Sequence, residues 1–233
     1  MWHFPNRYRA RAVKRTVPIL LLCVCTLSFG CGISRKIELT RLQKQKDAAA
    51  RFNAENWMER RVIARDMVRH YGKNGNDLSI SILTMAARDP HPAVRIEAVQ
   101  GFARIQSVQS LPMITKAAQE DVNDNVRWYA LQALRSINDP SSADTYARCL
   151  DSGDWLIREE AIKGICALDE AAIKKTLVPS IIKAINDPNA AVMLAALRGV
   201  KIKDDRIYPV ITEKLRTATE YNYSLIEASL AAL

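Results

Sequence analysis

One 14-residue phrase recurs along this chain and limits what it can fold into. Asp89-Pro-His-Pro-Ala-Val-Arg-Ile-Glu-Ala-Val-Gln-Gly-Phe102 sets an acidic turn before an amphipathic helix. It returns as Asp121-Val-Asn-Asp-Asn-Val-Arg-Trp-Tyr-Ala-Leu-Gln-Ala-Leu134 and as Asp187-Pro-Asn-Ala-Ala-Val-Met-Leu-Ala-Ala-Leu-Arg-Gly-Val200. Between them, residues 154–165 form a copy in which Asp151 stands one residue further back than in the others, and residues 220–233 are a degenerate fifth. The column Val94, Val126, Ile157, Val192, Leu225 steps by 32, 31, 35 and 33 residues. Periods in this range belong to stacked arrays, whose units cannot bury their apolar faces alone. The expected fold is all-α: an α-solenoid of about five helical hairpins, preceded by an N-terminal signal and a helical connector.

The period also places the helices and the core. First helices are expected near 78–87, 108–119, 142–150, 171–186 and 205–216, and second helices near 92–105, 124–137, 155–168, 189–202 and 222–233. Pro112, Pro179 and Pro209 each follow an apolar residue in a first helix. Proline is tolerated in a first turn, where its missing N–H has no partner to lose. The helix of 171–186 should therefore start near Leu177, after a turn or kink. The sets Val94/Ala98/Phe102, Val126/Ala130/Leu134, Ile157/Ala161/Ile165 and Val192/Ala196/Val200 share i, i+4, i+8 spacing and form the expected core stripe. Ahead of them, Trp57, Arg61, Ala64, Val68 and Tyr71 line one stripe of a capping helix, with the Arg61 stem lying along it and its head in water.

The motif D-x-x-x-x-V-R-x-x-A of the first two copies, and I-R-x-x-A of the third, resembles the HEAT family, in particular its short bacterial HEAT-like or phycobilisome-lyase-type form, over about residues 77–233. Copies four and five depart from it, with Met193 and Ile226 at the arginine position. The resemblance implies a ladder along the inner edge of the stack, built from Asp89, Arg95, Asp121, Arg127, Asp151, Arg158 and Asp187; a ligand-facing row of arginines is the alternative. It also implies that second helices line the concave side. That puts the columns Ile96/Trp128/Glu159/Leu194/Glu227 and Glu97/Tyr129/Glu160/Ala195/Ala228 near the surface, beside Gln100, Gln132, Lys163 and Arg198. Trp128, Tyr129, Trp155, Gln132 and Arg198 are the expected partner-binding residues, since exposed aromatics and arginines are enriched at protein interfaces. The alternative is rings half-buried between units.

The N-terminus carries a different signal. Residues 1–15 hold Arg7, Arg9, Arg11, Lys14 and Arg15 with no acid, and residues 17–29 are an uncharged apolar run of 13. A basic start, an apolar stretch of this length and a small residue before the break mark an export signal. Leu27-Ser-Phe-Gly-Cys31 resembles the lipobox of bacterial lipoproteins, which implies a diacylglycerol on Cys31, although Leu sits at −4 and Phe29 is bulky. An uncleaved anchor is the alternative, as counting on to Ile33 gives 17 uncharged residues where a span needs about 20. The boundaries are 1–30 for the signal, 31–53 for a basic connector, 54–76 for the capping helix and its turn, and 77–233 for the array. A membrane-anchored lipoprotein on the periplasmic side or the cell surface is expected.

Charge removes one class of partner. The chain is +9, yet residues 52–233 hold 23 basic against 23 acidic side chains, so the excess lies in the signal and the connector. Nucleic acid is bound by clustered positive charge, and no nucleic-acid partner is expected. Nor is a cofactor or a metal: the histidines are His3, His70 and His91, and the chain has no H-E-x-x-H, phosphate loop or G-x-S-x-G. Cys149 and Cys166 fall too far apart along the third hairpin for a disulfide and are expected as free thiols. The apolar helix 222–233 has no polar cap after it, so it is expected to continue into a longer array or to pack on a partner or a second copy. The expected function is a non-catalytic, membrane-anchored scaffold binding another envelope protein. The alternatives are an alkylpurine DNA glycosylase or bilin lyase on the same scaffold, or an exported protein with an uncleaved anchor.

Overall fold

The computed structural model describes residues 50–53, 56–71, 77–217 and 223–233, with Gln43, Lys46 and Asp47. The chain divides into Met1–Ala48 and a compact unit Ala49–Leu233. The signal, Cys31 and most of the connector lie outside the described residues. Phe52, assigned to the connector by its charged neighbours, is buried in the compact unit.

Among its described residues that unit is built of helices joined by turns and short extended links. The capping helix is α1 (Trp57–Tyr71), and five hairpins follow: α2 (Asp77–Ala86) with α3 (Pro92–Ile105), α4 (Leu111–Glu120) with α5 (Asp124–Ile137), α6 (Ala143–Cys149) with α7 (Trp155–Ala167), α8 (Val178–Ile185) with α9 (Ala190–Gly199), and α10 (Tyr208–Thr217) with α11 (Tyr223–Ala232). Prolines set the starts as their lost N–H requires. Pro112 and Pro179 sit in the first turns of α4 and α8, and a π-helical stretch Ile173–Leu177 supplies the kink before α8. The helix α9 stops at Gly199, three residues short of the expected end, and Val200 continues in extended conformation.

Each of the four second helices from α3 to α9 starts the same way. His91, Asn123, Asp154 and Asn189 are extended N-caps whose side chains accept backbone N–H groups of the first turn. The aspartates of the repeated turns do a different job two residues earlier. Asp89, Asp121 and Asp187 accept the N-cap residue's own N–H at 2.8, 2.9 and 2.8 Å, so turn and cap are separate devices. Counting from the caps puts Val94, Val126, Ile157 and Val192 at one position, and Ala98, Ala130, Ala161 and Ala196 four residues on, all fully buried. Burial of this stripe, at about 25 cal/mol per Å² of apolar surface, holds the stack together.

The position ten residues after each cap is held small by its neighbours. It is Gly101, Ala133, Gly164 and Gly199. A Cβ on Gly164 would lie 2.2 Å from the ring of Tyr146 on α6, and one on Gly101 would lie 2.8 Å from Leu83 on α2. The first helices thus seat side chains directly on the backbone of the second.

Candidate protein-binding face

Successive second helices pack directly on one another, whereas the first helices touch much more sparsely. A two-layer stack curves toward its tighter layer, so α1, α3, α5, α7 and α9 line the inner side. Asn56 accepts the Met58 and Glu59 N–H groups at the start of α1, which puts this capping helix in the same register as the others.

One edge of the inner layer is a ladder of forked ion pairs. Arg60 donates Nε and Nη2 to Asp89 at 2.5 and 2.9 Å, Arg95 does so to Asp121 at 2.7 and 2.7 Å, and Arg158 to Asp187 at 2.7 and 3.0 Å. The remaining Nη1 of Arg95 and Arg158 ties back to carbonyls of its own turn, Asp89 and Pro90 or Ser152 and Gly153. Each rung therefore clamps one turn to the next unit with planar, bidentate geometry. Burial raises the Asp89 and Asp187 carboxyls, but Arg60 with the His91 N–H, and Arg158 with the Asn189 N–H, outweigh it and hold both below the ordinary carboxylate value.

Two expected members of the ladder stand elsewhere. Arg127 reaches only the Ser152 hydroxyl at 3.4 Å, and bonds Asp124 at 3.1 Å and the Ala118 carbonyl at 3.3 Å. Asp151 is exposed and pairs with Lys183. The cause is spacing: the rung needs an acid two residues before the N-cap, and in the third copy Ser152 holds that place while Asp151 is one residue further back. Arg60 fills the first rung, which the repeat motif misses because α1 lacks the preceding aspartate. Its place four residues after Asn56 was the available signal.

The column expected near the surface at Glu97, Glu160 and Ala228 is buried instead. Glu97 accepts Arg61 Nε at 3.0 Å and pairs with Arg65, both on α1, so the half-exposed Arg61 also engages a buried carboxylate. Burial raises the Glu97 carboxyl, but Arg65 and Arg61 outweigh it and the net direction is down. Glu160 accepts Arg135 Nε at 2.7 Å. The charged face of one second helix thus locks onto the next, which a pattern of exposed columns cannot reveal.

Of the expected partner-binding residues, the structure brings Trp128, Tyr129 and Gln132 together on α5. The two rings are half-buried in an edge contact, with centroids 5.0 Å apart at 76°. Tyr129 and Gln132 line a groove of about 240 Å³ between α3 and α5, with Gln100, Ala103, Arg104 and Ser136. Trp155 opens α7, 40% exposed, and makes no ring contact with that pair. Arg198 is exposed on α9. A second aromatic stack was not foreseen: Trp57 lies flat on His91, with centroids 3.8 Å apart at 6°, joining α1 to the cap of α3. Cys149 and Cys166 are free thiols, raised by burial to about 11 and about 12, which removes thiolate chemistry at neutral pH. Among the described residues no helix is long and apolar enough to cross a membrane, and no group of three or more His, Cys, Asp or Glu side chains could hold a metal ion.

Comparison with known proteins fits this geometry. A family model described as HEAT repeats matches residues 48–135 and 80–166, together just over half of the chain. None of the curated proteins matches. Among solved structures, the chain is similar to an engineered protein at 16% identity and a TM-score of 0.57, covering 82% of this chain and 95% of that one. It is also similar to a designed armadillo repeat protein in complex with the peptide (KR)4, at 17% identity and a TM-score of 0.54, covering 80% and 98%. Computationally designed armadillo repeat proteins for modular peptide recognition match at 16% identity and a TM-score of 0.51, covering 80% and 98%.

Proposed function

This chain belongs to the HEAT-repeat family, and from that premise we propose that it is a non-catalytic protein-binding scaffold, held at a membrane of the bacterial cell envelope by a lipid on Cys31. The observation that carries the binding half of this reading is the inner face itself. The capping helix α1 and the second helices α3, α5, α7 and α9, tied by three forked ion pairs, line this face together, with the Trp128–Tyr129 pair at the centre. The three formed rungs take their hydrogen bonds within the stack, so this face can meet a partner without costing those contacts. Rigid presentation of aromatic anchors is how interfaces gain energy, because little side-chain freedom is lost on binding. A designed armadillo repeat protein of similar fold holds a peptide, which is a use that this face suits.

The anchoring half rests on sequence: the basic start, the apolar run of 13 and the small Gly30 before Cys31. A single acyl chain binds membranes only marginally, and the basic connector that follows adds attraction to anionic lipid. Both halves have direct tests. Cells fed radiolabelled palmitate should label the wild-type chain and not Cys31→Ser, and label in both would refute lipidation there. Pull-down from membrane extracts should recover a partner with the wild type and several-fold less with Trp128→Ala. Equal recovery would remove the inner face as the binding site.

A further inference from the structure

The array is neutral in sum, but its charge is sorted. From five to thirteen residues after each cap, the inner helices α1, α3, α5, α7 and α9, with the extended residues that follow α9, carry eight basic residues (Arg61, Arg65, Arg69, Arg104, Arg135, Lys163, Arg198, Lys201) against the four acids Asp66, Glu97, Glu159 and Glu160. The other residues of 52–233 hold fifteen basic against nineteen acidic side chains, so a surplus of four charges on this face is balanced by a deficit elsewhere. Glu97 and Glu160 are buried and already engaged by Arg61, Arg65 and Arg135, and Glu159 pairs with Lys163 at 2.7 Å. Arg104, Arg198 and Lys201 are exposed and form no ion pair among the described residues. The position nine residues after each cap is Arg65, Gln100, Gln132, Lys163 and Arg198, a hydrogen-bond donor in every unit and an acid in none.

We propose that this face binds an extended, acidic protein segment carrying a carboxylate at about every third residue. The inference rests on the protein-binding reading above and deepens it. Packed helices lie about 8–10 Å apart, so one donor per unit repeats at that distance. A polyproline-type strand rises about 3.1 Å per residue, so side chains three apart recur about every 9 Å and meet successive units in step. The groove between α3 and α5 sits on this path, with Gln100, Gln132 and Arg104 as polar contacts and the Tyr129 ring as a wall. Exposed apolar groups at the opposite ends of the same helices, Met58, Trp155 and Leu156, give the intervening residues something to lie on. Nucleic acid fits poorly, since duplex DNA carries a charge about every 1.7 Å and this surplus is spread over five units.

The test is fluorescence anisotropy with the full-length protein in mild detergent and a fluorescein-labelled (Glu-Leu-Thr)5 peptide. Binding should weaken as salt rises, and the (Lys-Leu-Thr)5 counterpart should bind at least tenfold less well. A peptide with its five glutamates gathered at one end should also bind less well than the evenly spaced one. Arg104→Gln with Arg198→Gln, both exposed positions whose loss leaves the core intact, should weaken binding about fivefold with an unchanged thermal melt. Equal affinity for the lysine peptide, or full affinity in the double variant, would each overturn the proposal. Those results would leave the Trp128→Ala pull-down untouched, so a wrong charge inference is distinguishable from a wrong binding face.

Discussion

Ser152→Asp should stabilise this protein by completing its broken ladder. In the three formed rungs a carboxylate takes two charge-assisted bonds from the arginine and a third from the N-cap N–H at 2.8–2.9 Å. At the gap, Ser152 offers Arg127 one bond at 3.4 Å and the Asp154 N–H another at 3.3 Å. Charge-assisted bonds contribute about 1.5–3 kcal/mol, and Arg127 is mostly sheltered, with 20% of its side chain exposed. Against that gain stand the exposed Arg127–Asp124 pair, worth at most about 1 kcal/mol, and the lost bond to the Ala118 carbonyl. Repulsion from Asp151 and Asp154 subtracts a few tenths each. The net is about 1 kcal/mol, or about 2–4 °C in Tm for a unit of this size. Thermal melts by circular dichroism would read it, run also in an Arg127→Ala background. There most of the gain should vanish, since only the bond from the Asp154 N–H and the repulsion survive. A gain of equal size in both backgrounds, or none in the wild type, would refute the ladder as the cause.

Other substitutions probe separate links. Gly164→Ala should cost about 1–3 kcal/mol or more, because its Cβ would stand 2.2 Å from the Tyr146 ring; Tyr146→Leu should recover part of that loss, and additive melts would speak against the contact. Glu97→Leu should cost about 1–2 kcal/mol, since Arg61 and Arg65 lose their shared partner but are exposed enough to turn to water; denaturant unfolding measures it, and an unchanged or raised stability would contradict the lock between α1 and α3. Acid should weaken the stack. Asp89, Glu97 and Asp187 are held below their ordinary values in the fold, so their contribution is complete above about pH 4–5 and is lost as pH falls through the depressed values. Melts at pH 7, 4 and 3 should show it, with a shallower acid limb in Asp89→Asn than in the wild type.

The fold was legible because its signal is redundant: five copies repeat one branched apolar position, four of them with an alanine four residues on, and the period survives where single residues drift. The prolines were readable for a local reason, the N–H each lacks. The inner face was only half legible. Trp128 and Gln132 follow from helix spacing alone, but the burial of Glu97 and Glu160 depends on what the preceding helix brings against them. A carboxylate flanked by apolar residues looks surface-facing until Arg61, Arg65 or Arg135 is seen to arrive from about 25–36 residues away. Arg60 was missed for the opposite reason. The repeat motif carries an aspartate before its arginine, whereas the rung needs only an arginine four residues after the cap and an acid in the next unit. The Arg127 gap could have been counted from the sequence, since Asp151 sits one residue outside the register.

The account stands or falls on which face of the stack meets its partner. Photo-crosslinking side chains placed one at a time at positions 100, 128 and 163 of the inner helices, and at the fully exposed Val122 as a control, would decide it in intact cells. A discrete protein adduct at the three inner positions, absent at 122, is the expected result. An adduct at 122 alone, with the inner positions silent, would contradict it.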